Sequence, residues 1–304
     1  MMLTRYQFEI LKFLEKNGCN HYTHRQLSDT LTISNREITN EINGMIGNGL
    51  VIEKDGNLSI SSSGLSSLEP YRVKRAVILA AGFGSRMMPA TKNKPKPMVT
   101  VHGKRIIETL LDALINVGIK DITIIRGYQK EKFNELLIKY PFVKFIDNTN
   151  YDKFNNISSA VLAKNAFVGG SYLCEADLYI SNPNIITKYQ YNSNILGSWS
   201  LETDDWSFKM DDNGYIRNYQ KGNTYCWNYY GISYWTPQDC KKLNHDWAEL
   251  FASKNGKNIF WEQVPLQLKS KDYQVEIRPC NKSDIMEIDN YYELAQLDST
   301  YVIK

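Results

Sequence analysis

Residues 79–98, LAAGFGSRMMPATKNKPKPM, hold two glycines around a phenylalanine, one arginine, three lysines and three prolines. Glycines let backbone N–H groups approach a ligand with no Cβ in the way, and fixed positive charge beside them suits phosphate. Three kinds of phosphate-binding loop compete for this pattern. A Walker A loop requires G-x-x-x-x-G-K-[ST], which the chain does not contain. A dinucleotide fingerprint requires G-x-G-x-x-G/A. Gly82 and Gly84 supply its first two glycines, but Met87 holds the third position and no acid lies near residue 102 to hold a ribose diol.

The third pattern fits. The stretch resembles the signature of the nucleotidyltransferases that activate sugar-1-phosphates and phosphocholine, roughly L-A-A-G-x-G-x-R-[LM]-x-P-x-T-x-x-x-P-K-[PA]-[LM]. The resemblance implies that Leu79, Ala80, Ala81, Gly82, Gly84 and Ser85 bind a nucleoside triphosphate. It makes Arg86 and Lys96 the catalytic cations. Pro89, Pro95 and Pro97 stiffen the hook that carries Lys96, while Lys92 and Lys94 face solvent or touch phosphate weakly. In this family an acceptor oxygen attacks the α-phosphorus of a nucleoside triphosphate and pyrophosphate leaves, with Mg²⁺ bridging phosphates and carboxylates.

Hard cations take oxygen ligands, so acids at strand ends are the natural place to look. Asp177 in SYLCEADLYI matches the second acid of the family's D-[AG]-D element, with Glu175 in place of the first. The role of Glu175 stays open. MEIDN (286–290) is similar to the E-I-D-[ST] segment of bacterial phosphocholine cytidylyltransferases, which makes Asp289 a second metal ligand and Glu287 its support. Residues i and i+2 of a strand share a face, so both carboxylates can meet one ion; a helix N-cap is the alternative for Asp289. NTNYDKFNNISSA (148–160) is similar to the family's N-x-x-[YF]…N-N-x-x-S, which makes Asn156 and Ser158 nucleotide contacts or, alternatively, plain helix caps.

All six tryptophans lie beyond residue 198. A quaternary ammonium seeks aromatic faces and a carboxylate. The layout of DDW, NYYGISYW and FWE resembles the acceptor region of bacterial phosphocholine cytidylyltransferases, implying a choline box of Trp206, Tyr229, Trp261 and Glu262. Aromatic stripes also build cores. The expected reaction is CTP with phosphocholine to CDP-choline and pyrophosphate, dependent on Mg²⁺. The alternatives are another acceptor (2-aminoethylphosphonate, phosphoethanolamine or a sugar-1-phosphate) and a DNA-binding regulator with a degenerate enzyme domain.

The elements that must position these residues follow from periodicity. Between residues 74 and 304, strands such as RAVILAAG, DITIIRGY and VKFIDN alternate with helical stretches such as RIIETLLDALINVG, KEKFNELLIKY and NISSAVLAKNAF. SYLCEADLYI reads as one further strand, and 237–252, 261–270 and 289–297 as helices. Longer strands around the Asp-Asn-Gly of residues 212–214 read as an antiparallel insertion. The expected fold class is α/β: a mixed, mainly parallel Rossmann-like sheet flanked by helices, with that insertion.

Residues 1–66 read as three helices and an Asp-Gly hairpin, a pattern that resembles a winged helix-turn-helix domain; the Ser/Gly-rich stretch 61–70 ends in proline and signals a linker, which is set at 67–73. Residues 1–70 carry six Lys/Arg against eight Asp/Glu, a net −2 (6 − 8) that does not favour DNA binding. Contact with protein or dimerisation suits this domain better, and a homo-oligomer is compatible with it. The net charge of +3 over 304 residues is mild, and the five cysteines are odd in number with no C-x-x-C. Reduced thiols in a cytoplasmic protein are expected. No apolar run approaches the ~20 residues of a membrane span. His21 and His24 are a weak metal pair.

Overall fold

The computed structural model describes residues 2–18 and 22–302. His21, one of the weak metal pair, lies outside the described residues. The chain divides into two compact units, Met1–Arg72 with Tyr189–Tyr191, and Val73–Lys188 with Asn192–Lys304.

In the first unit, helices α1 (Arg5–Lys16), α2 (His24–Leu31) and α3 (Asn35–Gly47) each begin at a hydroxyl cap. Thr4, Thr23 and Ser34 accept from the backbone N–H three residues on. A hairpin follows, β1 (Val51–Lys54) and β2 (Asn57–Ile60), turned by Asp55 and Gly56, both with positive φ. Phe8, Leu11, Leu27, Ile38, Ile42 and Leu58 form the core.

The expected linker is a correction. Residues 61–70 are mostly helical: α4 (Ser62–Leu68) runs into a 3₁₀ turn, Glu69–Tyr71. Ser61 caps α4 by accepting from Gly64 N–H at 2.9 Å, Ser66 and Ser67 donate back to carbonyls one turn earlier, and Leu68 is buried. Serines that read as linker composition are here a cap and back-bonded hydroxyls.

The second unit is built on a seven-stranded sheet. Its strands are β3 (Arg75–Ala80), β6 (Asp121–Arg126), β7 (Lys144–Asp147), β8 (Ser171–Glu175), β10 (Asn194–Met210), β11 (Ile216–Trp235) and β12 (Glu276–Pro279), in the order β12-β10-β11-β8-β3-β6-β7. The β8, β3, β6 and β7 strands are mutually parallel, and β11 runs antiparallel to both β8 and β10. The mixed sheet with its long hairpin is the expected architecture.

Small ladders sit at the sheet's margin: β4 (Thr100–Val101) with β5 (Lys104–Arg105), and β9 (Leu178–Ile180) with β13 (Ile285–Glu287). Alternate side chains of the central strands face opposite helices. Ile78 and Ile124 pack with α5 (Ile106–Asn116), and Val77, Leu79 and Ile125 with α6 (Ile157–Leu162) and α7 (Pro237–Ala252). The last helix, α8, is Tyr291–Leu297.

Three expected elements differ in detail. Lys130–Ile138 winds as a 3₁₀ helix. Residues 261–270 hold a wide five-residue turn, Val264–Leu268, around Pro265, which has no N–H to donate. SYLCEADLYI is two strands, because the chain leaves the central sheet at Ala176–Asp177 and β9 pairs instead with β13.

One buried polar knot holds α7 to the segment behind it. Asp246 is 3% exposed and accepts from Tyr273 Oη at 2.5 Å and from the ammonium groups of Lys242 and Lys269, each at 2.8 Å. Burial works against its charge, but these donors outweigh burial and hold its pKa well below the usual carboxylate range. A depressed folded-state pKa contributes stability above the unfolded value near 4 that is lost as pH falls toward the folded value. Asp246→Ala is therefore expected to cost about 2 kcal/mol at pH 7, a deficit that shrinks in acid below about pH 4. Urea unfolding at pH 7 and pH 3 checks both parts.

Candidate active site

β3 delivers the chain to the carboxyl edge of the sheet, where parallel α/β sheets hold ligands. There it opens into the Gly82–Gly84 loop, above a cavity of about 540 Å³. Gly84 has φ +62°, and a Cβ there would stand 2.7 Å from Cβ of Lys96. The glycine thus permits both the left-handed turn and the close passage of the lysine hook. Thr91 locks the loop by donating its hydroxyl to the Gly84 carbonyl at 2.9 Å. Leu79, Ala80, Ala81, Gly82, Gly84, Ser85, Arg86 and Lys96 all line the cavity.

The lysine hook ends among acids. Lys96, 7% exposed, donates from Nζ to Asp177 at 2.8 Å and to Asp289 at 3.4 Å, and Arg86 Nη2 reaches Asp289 at 2.9 Å. Burial opposes the lysine's charge, but Asp177 foremost, with Glu287 and Asp289, outweighs it and holds its pKa above the ordinary lysine value. The break after β8 supplies Asp177, and β13 with the residues beyond it supplies Glu287 and Asp289. One carboxylate oxygen from each of the three lies within 4.8 Å of the others. Asn290, not Asp289, caps α8, accepting from Glu293 N–H.

This trio fits a divalent cation. The donors are hard oxygens, and Asp177 Oδ1 is buried with no partner. Burial, then the charges of Asp177 and Asp289, pushes the Glu287 pKa well above the ordinary carboxyl value, a strain that a cation relieves.

Asn156 and Ser158 line the cavity but are also structural. Asn156 Oδ1 accepts from Trp261 N–H at 2.8 Å. Ser158 Oγ donates to the Asn155 carbonyl and accepts from Asn148. Neither side chain caps α6.

The same cavity has an aromatic chamber among its walls. Trp206 stacks on Tyr219 (4.9 Å between centroids, 13° between planes), and Tyr229 meets Tyr219 edge-on at 5.5 Å. Phe260 and Glu262 line it with Trp206 and Tyr229. Glu262 is 4% exposed, and burial pushes its pKa up to about 7. Its Oε2 has no partner, nor has the Tyr229 hydroxyl.

Trp261 is a correction to the expected choline box. It is wholly buried, does not line the cavity, and packs edge-on against Trp235 and Trp247. Only its indole N–H points toward the site, donating to Glu175 Oε1 at 3.3 Å. The neighbouring Glu262 takes the cavity-facing place.

Sequence reasoning missed Asn148, Asp205 and Phe260, which line the cavity, and Tyr219, which backs Trp206, and left Glu175 open. Tyr219 had a signal, since it lies in the strand stretch that pairs with the Trp206 strand.

The family model for "Nucleotidyl transferase" matches residues 75–196. The 2-aminoethylphosphonate cytidylyltransferase of Lancefieldella rimae is 36% identical over 75% of this chain and 93% of its own length. The choline-phosphate cytidylyltransferase of Streptococcus pneumoniae is 31% identical over 74% of this chain and 96% of its own length. The solved structure of the CTP:phosphocholine cytidylyltransferase of that organism superposes with a TM-score of 0.68 at 29% identity, covering 75% of this chain and 99% of its own.

Proposed function

This chain belongs to the nucleotidyltransferase family, among its cytidylyltransferases, and on that premise we propose that it transfers the cytidylyl group of CTP to a small phosphonate or phosphate ending in a cationic amine. One arrangement carries the reading: the buried Glu262 carboxylate and the aromatic walls around it open onto the same cavity as the glycine loop and Lys96.

Gly82, Gly84 and Ser85 cradle the triphosphate with backbone N–H groups, and Leu79, Ala80, Ala81, Asn156 and Ser158 frame the nucleoside. Lys96, held in place by Asp177 and Asp289, and Arg86 present their charge to the reacting phosphates. An acceptor oxygen forms a bond to the α-phosphorus, the bond from that phosphorus to its bridging oxygen breaks, and the electron pair leaves with pyrophosphate. The protein aligns the three groups and neutralises the charge that builds on the leaving oxygens. Asp177, Asp289 and Glu287 would hold Mg²⁺, which when bound supplies further neutralisation of the phosphates.

The first acceptor is 2-aminoethylphosphonate, on the likeness to the Lancefieldella rimae enzyme. Phosphocholine is the second reading, favoured by the Trp206 ring, which lines the cavity and is backed by Tyr219. Pyrophosphate release across a grid of four nucleoside triphosphates and these acceptors, with a hexose-1-phosphate as a further arm, tests the proposal. Release is expected with CTP and an amine-bearing acceptor. Release only with the hexose-1-phosphate would overturn it.

A further inference from the structure

Glu175 stands at the last position of β8 and lines the cavity together with Glu262. Its side chain lies across Gly231 of the neighbouring β11, where a Cβ would come 2.5 Å from Oε2 and 2.6 Å from Cγ. Missing side-chain bulk on β11 therefore makes the room that a glutamate needs here. Trp261 Nε1 holds the other oxygen, Oε1, at 3.3 Å. Glu175 feels the charge of Glu262, and two buried acceptors of the same chamber have no donor: Glu262 Oε2 and the Tyr229 hydroxyl.

We infer that Glu175 and Glu262 form a hydrogen-bonding clamp for a primary ammonium group, so that this site selects acceptors by their N–H donors and discriminates against a trimethylated amine. The inference rests on the cytidylyltransferase reading above. A primary ammonium brings one positive charge and three N–H donors to two carboxylates. A trimethylammonium brings the same charge and no donor, and its bulk keeps water from the orphaned oxygens. Leaving buried acceptors unpaired is the strongest way for a site to reject a near-isostere. The aromatic walls serve either amine, since a cation over a ring needs no N–H; the carboxylate pair supplies the discrimination.

The test uses the full chain, CTP and 2-aminoethylphosphonate with its N-methyl, N,N-dimethyl and N,N,N-trimethyl derivatives, reading kcat/KM by pyrophosphate release. The value is expected to fall along the series, with the trimethyl compound about 100-fold below the parent. Glu175→Asp, which withdraws the carboxylate by one methylene, is expected to compress that ratio to about tenfold or less. Gly231→Ala should do the same by displacing Glu175 from the β11 side, and thermal melts verify that both variants fold. Equal or better use of the trimethyl compound by the wild type overturns the clamp and leaves the cytidylyltransferase reading standing. So does a wild-type ratio carried over unchanged into both variants. No CTP-dependent release with any of the four overturns that reading, and the clamp with it.

Discussion

Lys96→Ala is expected to lower kcat by roughly 10²- to 10³-fold, the range found when one preorganised charge or donor is removed from a reacting oxyanion. The side chain is almost wholly enclosed and its ammonium is held by Asp177 and Asp289, so it is a fixed cation and not a solvated one. A buried charge already in place costs no reorganisation when phosphate charge shifts. Lys92 and Lys94 sit on the same hook but are exposed and half-buried. Solvent and salt screen them, and their alanine variants should change kcat by about twofold or less. Rapid-quench measurement of the chemical step in the three variants separates the roles. An unchanged kcat in Lys96→Ala, with the fold verified by its melt, would remove the residue from the reacting phosphates.

Much of the site's position was legible because its residues obey local rules of spacing. The glycine pair, the proline-stiffened hook and the strand before them sit within residues 75–98, and a strand that ends at a glycine loop places that loop at the sheet's edge. The two distant acid segments were legible as candidates, and the structure brings Asp177, Glu287 and Asp289 together through the β9–β13 ladder. That ladder was not legible. SYLCEADLYI has the texture of one strand, and only tertiary pairing tells where a strand changes partners. The serine-rich stretch at 61–70 failed for a different reason: composition signals a linker, whereas one capping hydroxyl and a buried Leu68 make a helix. Glu175 was undecidable from its own neighbourhood, because its surroundings are set by Gly231 and Glu262, 56 and 87 positions further along the chain (231 − 175 and 262 − 175).

The aromatic residues expose the same limit, and they give the second large effect. Trp206 and Trp261 looked equivalent in the sequence, each beside an acid, yet residue type does not say which face of a fold an indole occupies. Trp261→Ala is expected to destabilise the protein by about 4 kcal/mol, since it empties the centre of a cluster of three tryptophans and the void cannot close around rings held edge-on. It also removes the indole N–H from Glu175, so whatever folded protein remains should lose acceptor affinity. Trp206→Ala should behave oppositely. The ring is partly exposed and packs by one face on Tyr219. Its loss should cost about 1 kcal/mol or less of stability and raise the acceptor KM roughly tenfold through the missing cation–π face. The KM for CTP should stay near the wild-type value, because the glycine loop and Lys96 are untouched. Urea denaturation alongside initial rates at varied acceptor and CTP separates the two variants. If Trp206→Ala raised both Michaelis constants equally, the chamber would not be the acceptor's. If Trp261→Ala melted with the wild type, the indole would not be part of the core.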